Sequence, residues 1–236
     1  MKASPGARSW MAAGVRHELL TRALPALRHD MAAPVSVMRM SILLLKRQLG
    51  SATSGDAPPL DADAALERLG LIEEQVASLA AGVRSLRDWE LATDDAGITR
   101  SALVLQCTGL MRVAFELNGI GLQIDEALAP EEGEPRYAAG AALRYLVLGA
   151  LGYLHDSVPD LSRIRIEADG DAALCLVGGR GDAEPVEPMA GAHRAPRALA
   201  IDAIALQALA DGLGYAVQVE GESVRFALGA EIVPAD

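Results

Sequence analysis

Aromatic residues are scarce in this chain, and their scarcity excludes a class of function. Phe, Trp and Tyr make up 3% of the 236 residues, whereas proteins that bind single-stranded nucleic acid stack bases on aromatic side chains. The formal net charge of −11 also repels a phosphate backbone unless basic residues concentrate on one face, and the arginines are scattered through both halves. Nucleic acid is therefore not an expected partner.

Cysteines and long apolar runs are also few. Cys107 and Cys175 show no paired-cysteine or cysteine–histidine spacing, so we expect reduced core residues and no metal site. No uninterrupted apolar run reaches the roughly 18 residues of a membrane span. Residues 1–10 contain Lys2 and Arg8 without the apolar core of a signal peptide. We therefore expect a cytoplasmic protein with no membrane partner.

What the chain has in plenty is small and aliphatic residues, which bring the hydrophobic share to 51%. That share is ample for a packed, helix-rich core, and the length suits one large or two small domains. Apolar residues recur at three- and four-residue steps on both sides of a turn-forming loop at 50–59, with Asp61 as a helix cap. The first series is Leu20, Leu24, Leu27, Met31, Val35, Met38, Ile42, Leu45 and Leu49; the second is Ala62, Ala65, Leu69, Ile72, Val76, Leu79, Val83 and Leu86.

These two series predict a long antiparallel helical hairpin. Two helices alone leave much of each apolar stripe in water, so we expect a homodimer that forms a four-helix bundle through residues 10–92. A linker at 92–97 then divides the chain into domains 1–97 and 98–236.

The second domain is predicted to be an α/β sandwich, which makes the whole chain α+β. Its expected helices cover 101–117, 140–155 and 199–213, and its expected strands cover 121–126, 134–138, 162–169, 172–177, 215–220 and 223–228.

The segment Arg28–Val35 carries the strongest candidate for chemistry. It places Asp30 directly after His29, and Pro34 five residues after His29. Because proline crowds the carbonyl four residues back, we expect the helix to loosen beside His29. His29 falls off the apolar stripe, and an exposed imidazole can act as a nucleophile. The residues that share its helical face are Arg22, Ala26, Ala33, Ser36 and Met40.

Plainer interpretations of the histidines stay open. His29 can be a surface histidine beside a proline kink. His17 is also followed by an acid, Glu18, but its spacing to Leu20 and Leu24 places it on the apolar seam, so we expect a packed or N-terminal structural role. His155 and His193 are expected at the surface.

With the hairpin, the His29–Pro34 motif and the α/β domain together, the chain resembles the cytoplasmic core of bacterial sensor histidine kinases. The resemblance implies that His29 is the phosphoacceptor, with Asp30 as a supporting acid, and that residues 98–236 form a histidine-kinase-ATPase-like (Bergerat-type) domain. Ala33 departs from the family pattern, which often has Thr or Asn there for dephosphorylating the regulator. The resemblance therefore implies that this phosphatase chemistry is lost.

The nucleotide motifs of that family are degraded here. In Leu143–Tyr153, Gly149 and Tyr153 stand in the places of the paired asparagines, which include the usual magnesium ligand. In Leu176–Gly181 the adenine-binding aspartate is missing, and Gly178–Gly181 is expected to be a simple turn. Residues 182–197 correspond to the lid, and Ala198–Ile201 replaces its glycine-rich run.

A kinase fold that keeps its histidine and loses its ATP site resembles the dimeric histidine phosphotransferases of phosphorelays, including the ChpT-like group. The resemblance implies transfer between response-regulator receiver domains through His29. It implies no cofactor of the chain's own, with Mg²⁺ held by the partner receiver. Two alternatives stay open: a noncatalytic pseudokinase adaptor, which binds a kinase or regulator, and a divergent active kinase.

Overall fold

The computed structural model describes residues 5–53, 62–87, 97–116, 118–181 and 199–229. The chain divides into two compact units, Pro25–Trp89 on one side and Met1–Leu24 with Glu90–Asp236 on the other. The second junction lies close to the predicted linker, whereas the junction at Leu24 was not predicted. Within the described ranges, no helix is both long enough and apolar enough to span a membrane.

The hairpin is built from α1 (Pro5–Thr53) and α2 (Ala62–Arg87). The helix α1 runs without interruption through Pro25 and Pro34, so the expected loosening beside His29 does not break it. A proline removes one N–H from the helix, and the bonds of the neighbouring turns remain. The loop predicted from residue 50 begins later, because α1 continues to Thr53; Asp61 and most of the 92–97 linker lie outside the described residues.

Within the unit Pro25–Trp89, the two helices pack in antiparallel orientation. A Cβ placed on Gly82, near the end of α2, would lie 3.8 Å from Met31 Cγ, near the start of this part of α1. Along α1 the least exposed residues follow the three- and four-residue steps of a helix seam. They are Met31, Pro34, Met38, Ser41, Leu45 and Gln48.

Several members of the predicted apolar stripes are exposed in the single chain, which agrees with the expectation that two helices alone leave part of each stripe in water. Large apolar side chains recur at seven-residue intervals on each helix and form what we call the heptad stripe. On α1 these are Val35 (39% exposed), Ile42 (43%) and Leu49 (53%), and on α2 they are Leu69 (48%), Val76 (52%) and Val83 (48%).

The α+β unit is organised around a five-stranded mixed sheet with the order β2-β4-β5-β7-β6. Its strands are β2 (Gly121–Ile124), β4 (Arg163–Ala168), β5 (Ala173–Gly179), β6 (Val217–Glu220) and β7 (Ser223–Ala227). β2 runs parallel to β4, and the other neighbours are antiparallel. The short strands β1 (Ile98–Thr99) and β3 (Arg136–Tyr137) pair separately. The α+β class is therefore confirmed.

Three helices complete this unit: α3 (Arg100–Glu116), α4 (Gly140–Ser157) and α5 (Ala203–Leu213). Every residue of α4 from Gly140 to Leu154 is buried, which makes α4 the centre of the core. The predicted helix at 199–213 begins later, at Ala203, because the Asp202 carboxylate caps it by accepting from Ala205 N at 2.8 Å. β1 was not predicted, since two residues carry no periodicity.

The first turns of α1 belong to the α+β unit. Leu19 and Ala23 are fully buried, and glycines permit the close approach. A Cβ at Gly212 of α5 would lie 2.9 Å from Ala12 Cβ, and a Cβ at Gly152 of α4 would lie 2.8 Å from Ile201 Cδ1 and 3.4 Å from Leu19 Cδ2. The distances of 2.8 and 2.9 Å leave no room for a side chain at these two glycines.

This packing predicts that Leu19→Ala destabilises the α+β unit by about 2–5 kcal/mol, because a fully buried leucine leaves a cavity. Urea unfolding followed by circular dichroism measures the change. Leu105→Ala on α3 is the matched control, since Leu105 is 47% exposed and should shift stability by less than about 0.5 kcal/mol. Equal effects of the two substitutions would contradict the assigned packing.

Candidate functional site

The His29–Pro34 segment lies on α1 within the unit Pro25–Trp89. The backbone is helical at His29 and Asp30, and their side chains lie outside the described part of the structure. The described residues that share the helical face of position 29, Ala33, Ser36 and Met40, are all exposed. Ser36 donates to Ala32 O at 3.0 Å and so satisfies its hydroxyl locally. The face predicted for His29 is therefore open at these three positions.

Two expectations for neighbouring residues were wrong. His17 is exposed, because the helix turns Glu18 and Leu19 into the core instead. Arg22, placed by periodicity on the face of His29, is part-buried in an ion-pair network of the other unit. Periodicity alone could not reveal this, since Pro25 separates two stretches of α1 that pack in different units.

The resemblance compares two positions of α4, Gly149 and Tyr153, with a nucleotide site, and apolar side chains pack against the first of them. A Cβ at Gly149 would lie 2.6 Å from Leu209 Cδ2 and 3.1 Å from Leu206 Cδ1. At the other compared position, the Tyr153 hydroxyl donates to Gly221 O at 3.0 Å. Neither residue therefore presents a side-chain oxygen to a magnesium ion: glycine has none, and the tyrosine oxygen is engaged with the backbone.

The glycines after Leu176 form a strand, which corrects the expectation of a turn at Gly178 and Gly179. Both lie in β5, where they pair with Ile164 and Arg163 of β4. A Cβ at Gly179 would lie 2.7 Å from Arg163 Nε, so a larger residue there would require this exposed arginine side chain to move. The lid sequence at 182–197 lies outside the described residues.

A buried ion-pair network ties α1 to the end of α4. Arg22 donates from Nε to Glu18 Oε1 at 2.9 Å, and from Nη2 to Asp156 Oδ2 at 2.8 Å and Leu199 O at 3.0 Å. Ile201 N also donates to Asp156 Oδ2, at 2.9 Å. In the resemblance, the run Ala198–Ile201 takes the place of backbone donors to phosphate. Here the Ile201 amide instead donates its hydrogen bond to the Asp156 carboxylate.

His155 belongs to this network, which corrects the expectation of a surface residue. Its Nδ1 lies 2.8 Å from Asp156 Oδ1, and its side chain is 12% exposed. Its ring centroid lies 5.5 Å from that of Phe115. His155 therefore takes part in the packing and hydrogen bonding of the α+β unit. His193 lies outside the described residues.

Burial alone would raise the pKa of Asp156, whose side chain is 1% exposed. Hydrogen bonds from His155, Arg22 and Ile201 N outweigh burial and hold the pKa of this carboxyl well below its ordinary value of 3.8. The Asp156 carboxylate therefore stays charged over the physiological pH range, and it anchors α1 to the end of α4 by binding Arg22.

The cysteines are free and buried, as expected. Burial raises the pKa of Cys107 to about 12, although the nearby Arg144 acts in the opposite direction, so this thiol stays protonated and unreactive. Among the described residues, no group of three or more His, Cys, Asp or Glu side chains could hold a metal ion.

No protein-family model matches the chain, and no curated protein matches it. Solved structures that are similar include one described as a bacterial phosphotransferase, with 17% identity over 96% of this chain and 97% of that chain and a TM-score of 0.30. Another is the histidine kinase AdeS of Acinetobacter baumannii, with 13% identity over 81% and 97% and a TM-score of 0.34. A third is full-length ShkA in complex with AMPPNP, with 15% identity over 84% and 47% and a TM-score of 0.31.

Two of these solved proteins are described as a phosphotransferase and a histidine kinase. With such low identities and TM-scores, the function proposed below depends on the residues of this chain.

The anchoring role of Asp156 predicts a pH-dependent effect of Asp156→Asn. Because the folded pKa is lowered, the carboxylate contributes stability above its unfolded pKa near 3.8 and loses that contribution as the pH falls through the lower folded value. The variant should be less stable by on the order of 3 kcal/mol at pH 7, and the difference should shrink below about pH 4.

Urea unfolding at a series of pH values between about 2 and 7 measures this difference. Asp211→Asn, at an exposed carboxylate of α5, is the control and should stay within about 0.5 kcal/mol of the unsubstituted chain. A constant difference for Asp156→Asn across the whole range would contradict the assignment.

Proposed function

We propose that this chain is a histidine phosphotransferase of a bacterial two-component phosphorelay, which passes phosphoryl groups between receiver aspartates through His29. The observation that supports it best is the position of the His29–Pro34 segment on an uninterrupted helix of the hairpin unit, next to exposed small residues. A docking protein can approach such a face without displacing a packed side chain. Asp30 is the proposed supporting acid, which holds a useful tautomer of the imidazole.

In the proposed reaction, a nitrogen of the His29 imidazole attacks the phosphorus of a receiver's aspartyl phosphate. The bond between phosphorus and the carboxylate oxygen breaks, the receiver aspartate leaves as a carboxylate, and a phosphohistidine forms. The ring proton passes to solvent or to Asp30. The reverse sequence delivers the phosphoryl group to a second receiver. Because the transition state needs mainly positioning and charge neutralisation, Mg²⁺ on the receiver can supply the electrostatic part.

We further propose that the chain works without ATP. The face of α4 that would meet a nucleotide is occupied by Leu206 and Leu209, and the Ile201 amide is bound by Asp156. Triphosphate binding needs magnesium, backbone donors and positive charge together, and the described residues around α4 offer apolar side chains there instead.

Direct phosphotransfer is the test of the function. A receiver domain labelled with radioactive phosphate should transfer an acid-labile label to the purified chain in the presence of Mg²⁺. His29→Ala should abolish the label, because the nucleophile is lost, and Asp30→Ala should slow labelling. Radiolabelled ATP offered in place of the receiver should give no label.

His17→Ala is the matched control, since His17 is an exposed histidine on the same helix, and it should be labelled like the unsubstituted chain. Loss of label in His17→Ala, with label retained in His29→Ala, would move the nucleophile to His17. No label from any receiver would favour the adaptor alternative.

The active species is proposed to be a homodimer. The heptad stripe leaves six large apolar side chains exposed in one chain, three on each helix of the hairpin. In an antiparallel hairpin, two such rows can lie side by side, and a second copy that presents the same rows would bury both and form a four-helix bundle.

Ile42→Glu combined with Val76→Glu should therefore convert the dimer to a monomer, because four carboxylates would enter the shared core of the bundle. Sedimentation velocity measures the mass. Leu71→Glu is the control, since Leu71 is 39% exposed and lies off the seven-residue series; it should leave the dimer intact. A double variant that remains dimeric would contradict the proposed interface.

A further inference from the structure

Arg28 is a basic residue beside the position that we propose accepts the phosphoryl group. It directly precedes His29 on α1, so the two Cα atoms lie about 3.8 Å apart. The Arg28 side chain is exposed, and in the part of the chain that the structure describes its guanidinium makes no ion pair. Arg22, by contrast, is held by Glu18 and Asp156. Arg28 therefore has a guanidinium that is available to bind a ligand.

The described residues that follow position 29 leave the Arg28 side chain room to move. Ala32, one helical turn after Arg28, is small and exposed, and so is Ala33, one turn after His29. Adjacent residues on a helix project about 100° apart, so an arginine at position 28 approaches a group bound at position 29 from the side. The long stem of the arginine can therefore turn towards such a group without meeting a bulky neighbour at these two positions.

The other exposed basic residues of this part of α1 lie too far away for the same role. Between Pro25 and Thr53 they are Arg39, Lys46 and Arg47. At 1.5 Å per residue, Arg39 lies about 15 Å along the helix from position 29, and exposed charges are largely screened beyond about 8 Å at physiological ionic strength. Of these four basic residues, only Arg28 can touch a phosphoryl group at position 29.

The chemistry of the transfer suits an arginine at this place. In the transition state, negative charge is spread over three oxygens of the transferred phosphoryl group. A guanidinium stays protonated and presents five N–H donors in a planar fork, and its hydrogen bonds to phosphate oxygens are about twice as strong as neutral ones. The chain as a whole has a net charge of −11, which opposes the approach of an anionic group. A local positive charge offsets that repulsion.

We infer that Arg28 is a catalytic residue of the proposed transfer, and that its guanidinium donates hydrogen bonds to the phosphoryl oxygens as the group passes between the receiver aspartate and His29. This inference rests on the proposed function. The phosphorus–oxygen bond to the aspartate breaks and the phosphorus–nitrogen bond to His29 forms, while Arg28 keeps all its protons. Because the contact is strongest in the transition state, it should raise the maximal rate more than the affinity for the receiver.

Single-turnover transfer to the full-length chain tests this role, with a receiver labelled with radioactive phosphate and varied in concentration in Mg²⁺. Arg28→Gln should lower the maximal rate by about tenfold or more, because a charge-assisted hydrogen bond is lost in the transition state. The receiver concentration that gives half-maximal rate should stay within about twofold. Arg28→Lys keeps the charge without the planar fork, and its maximal rate should fall between the two. Circular dichroism should show unchanged helix content, since position 28 is exposed.

Arg39→Gln is the matched control. It removes the same charge from an exposed position of the same helix, about 15 Å from position 29, and its maximal rate should stay within about twofold of the unsubstituted chain. A fluorescence titration with the unphosphorylated receiver separates chemistry from binding. Arg28→Gln should bind that receiver as tightly as the unsubstituted chain does, because the proposed contact is made with the phosphoryl group.

The failures are distinguishable. If the unsubstituted chain accepts no phosphoryl group, the proposed function fails and the inference about Arg28 falls with it. If the chain is labelled and Arg28→Gln is labelled at the same maximal rate, the inference fails while the function stands. Two further results would overturn it: an equal loss of rate in Arg39→Gln would indicate long-range charge, and weaker binding of the unphosphorylated receiver with an unchanged maximal rate would indicate a docking residue.

Discussion

The close packing of the first turns of α1 against α4 and α5 is the constraint on which the α+β unit depends. Glycine at positions 152 and 212 lets Ile201 and Ala12 approach to distances that a Cβ would forbid, and Gly149 does the same for Leu209. Arg22 and Asp156 then fix the end of this contact with a buried ion pair. An apolar contact supplies the stabilisation, and the ion pair restricts the register, since a misplaced helix would leave a buried charge without a partner.

This packing also uses the positions of α4 that the resemblance compares with nucleotide motifs. Where a nucleotide site needs polar groups that face an open cleft, α4 presents Gly149 to leucine side chains, and Tyr153 bonds the backbone at Gly221. Gly149 and Tyr153 therefore contribute to the packing and hydrogen bonding of the α+β unit. A phosphotransferase of the kind proposed has no need of that cleft, because its phosphoryl donor arrives already activated on another protein.

In the hairpin unit, α1 presents three different surfaces. Around α1, one side packs on α2, a second presents the heptad stripe, and a third exposes Ala33, Ser36 and Met40. The side that packs on α2 is covered within a single chain. The other two sides leave large apolar side chains exposed to solvent. A helix can serve three surfaces because its 3.6-residue repeat separates neighbouring positions by about 100°.

The sequence by itself determined the long helices, the mixed second unit and the candidate His29, because heptad periodicity, strand alternation and the His–acid–Pro spacing are local signals. It also determined that the cysteines are buried. The tertiary structure decided three features that no local signal carries. One is that α1 contributes to two units, and another is that Arg22 reaches Asp156 and its neighbour His155 from a distant part of the sequence. The third is that Gly178 and Gly179 lie in a strand. Periodicity gives the face of a helix, but the neighbour that covers each face is chosen by long-range packing. His17 illustrates this, since the turn that exposes it is set by the burial of Leu19 against α4.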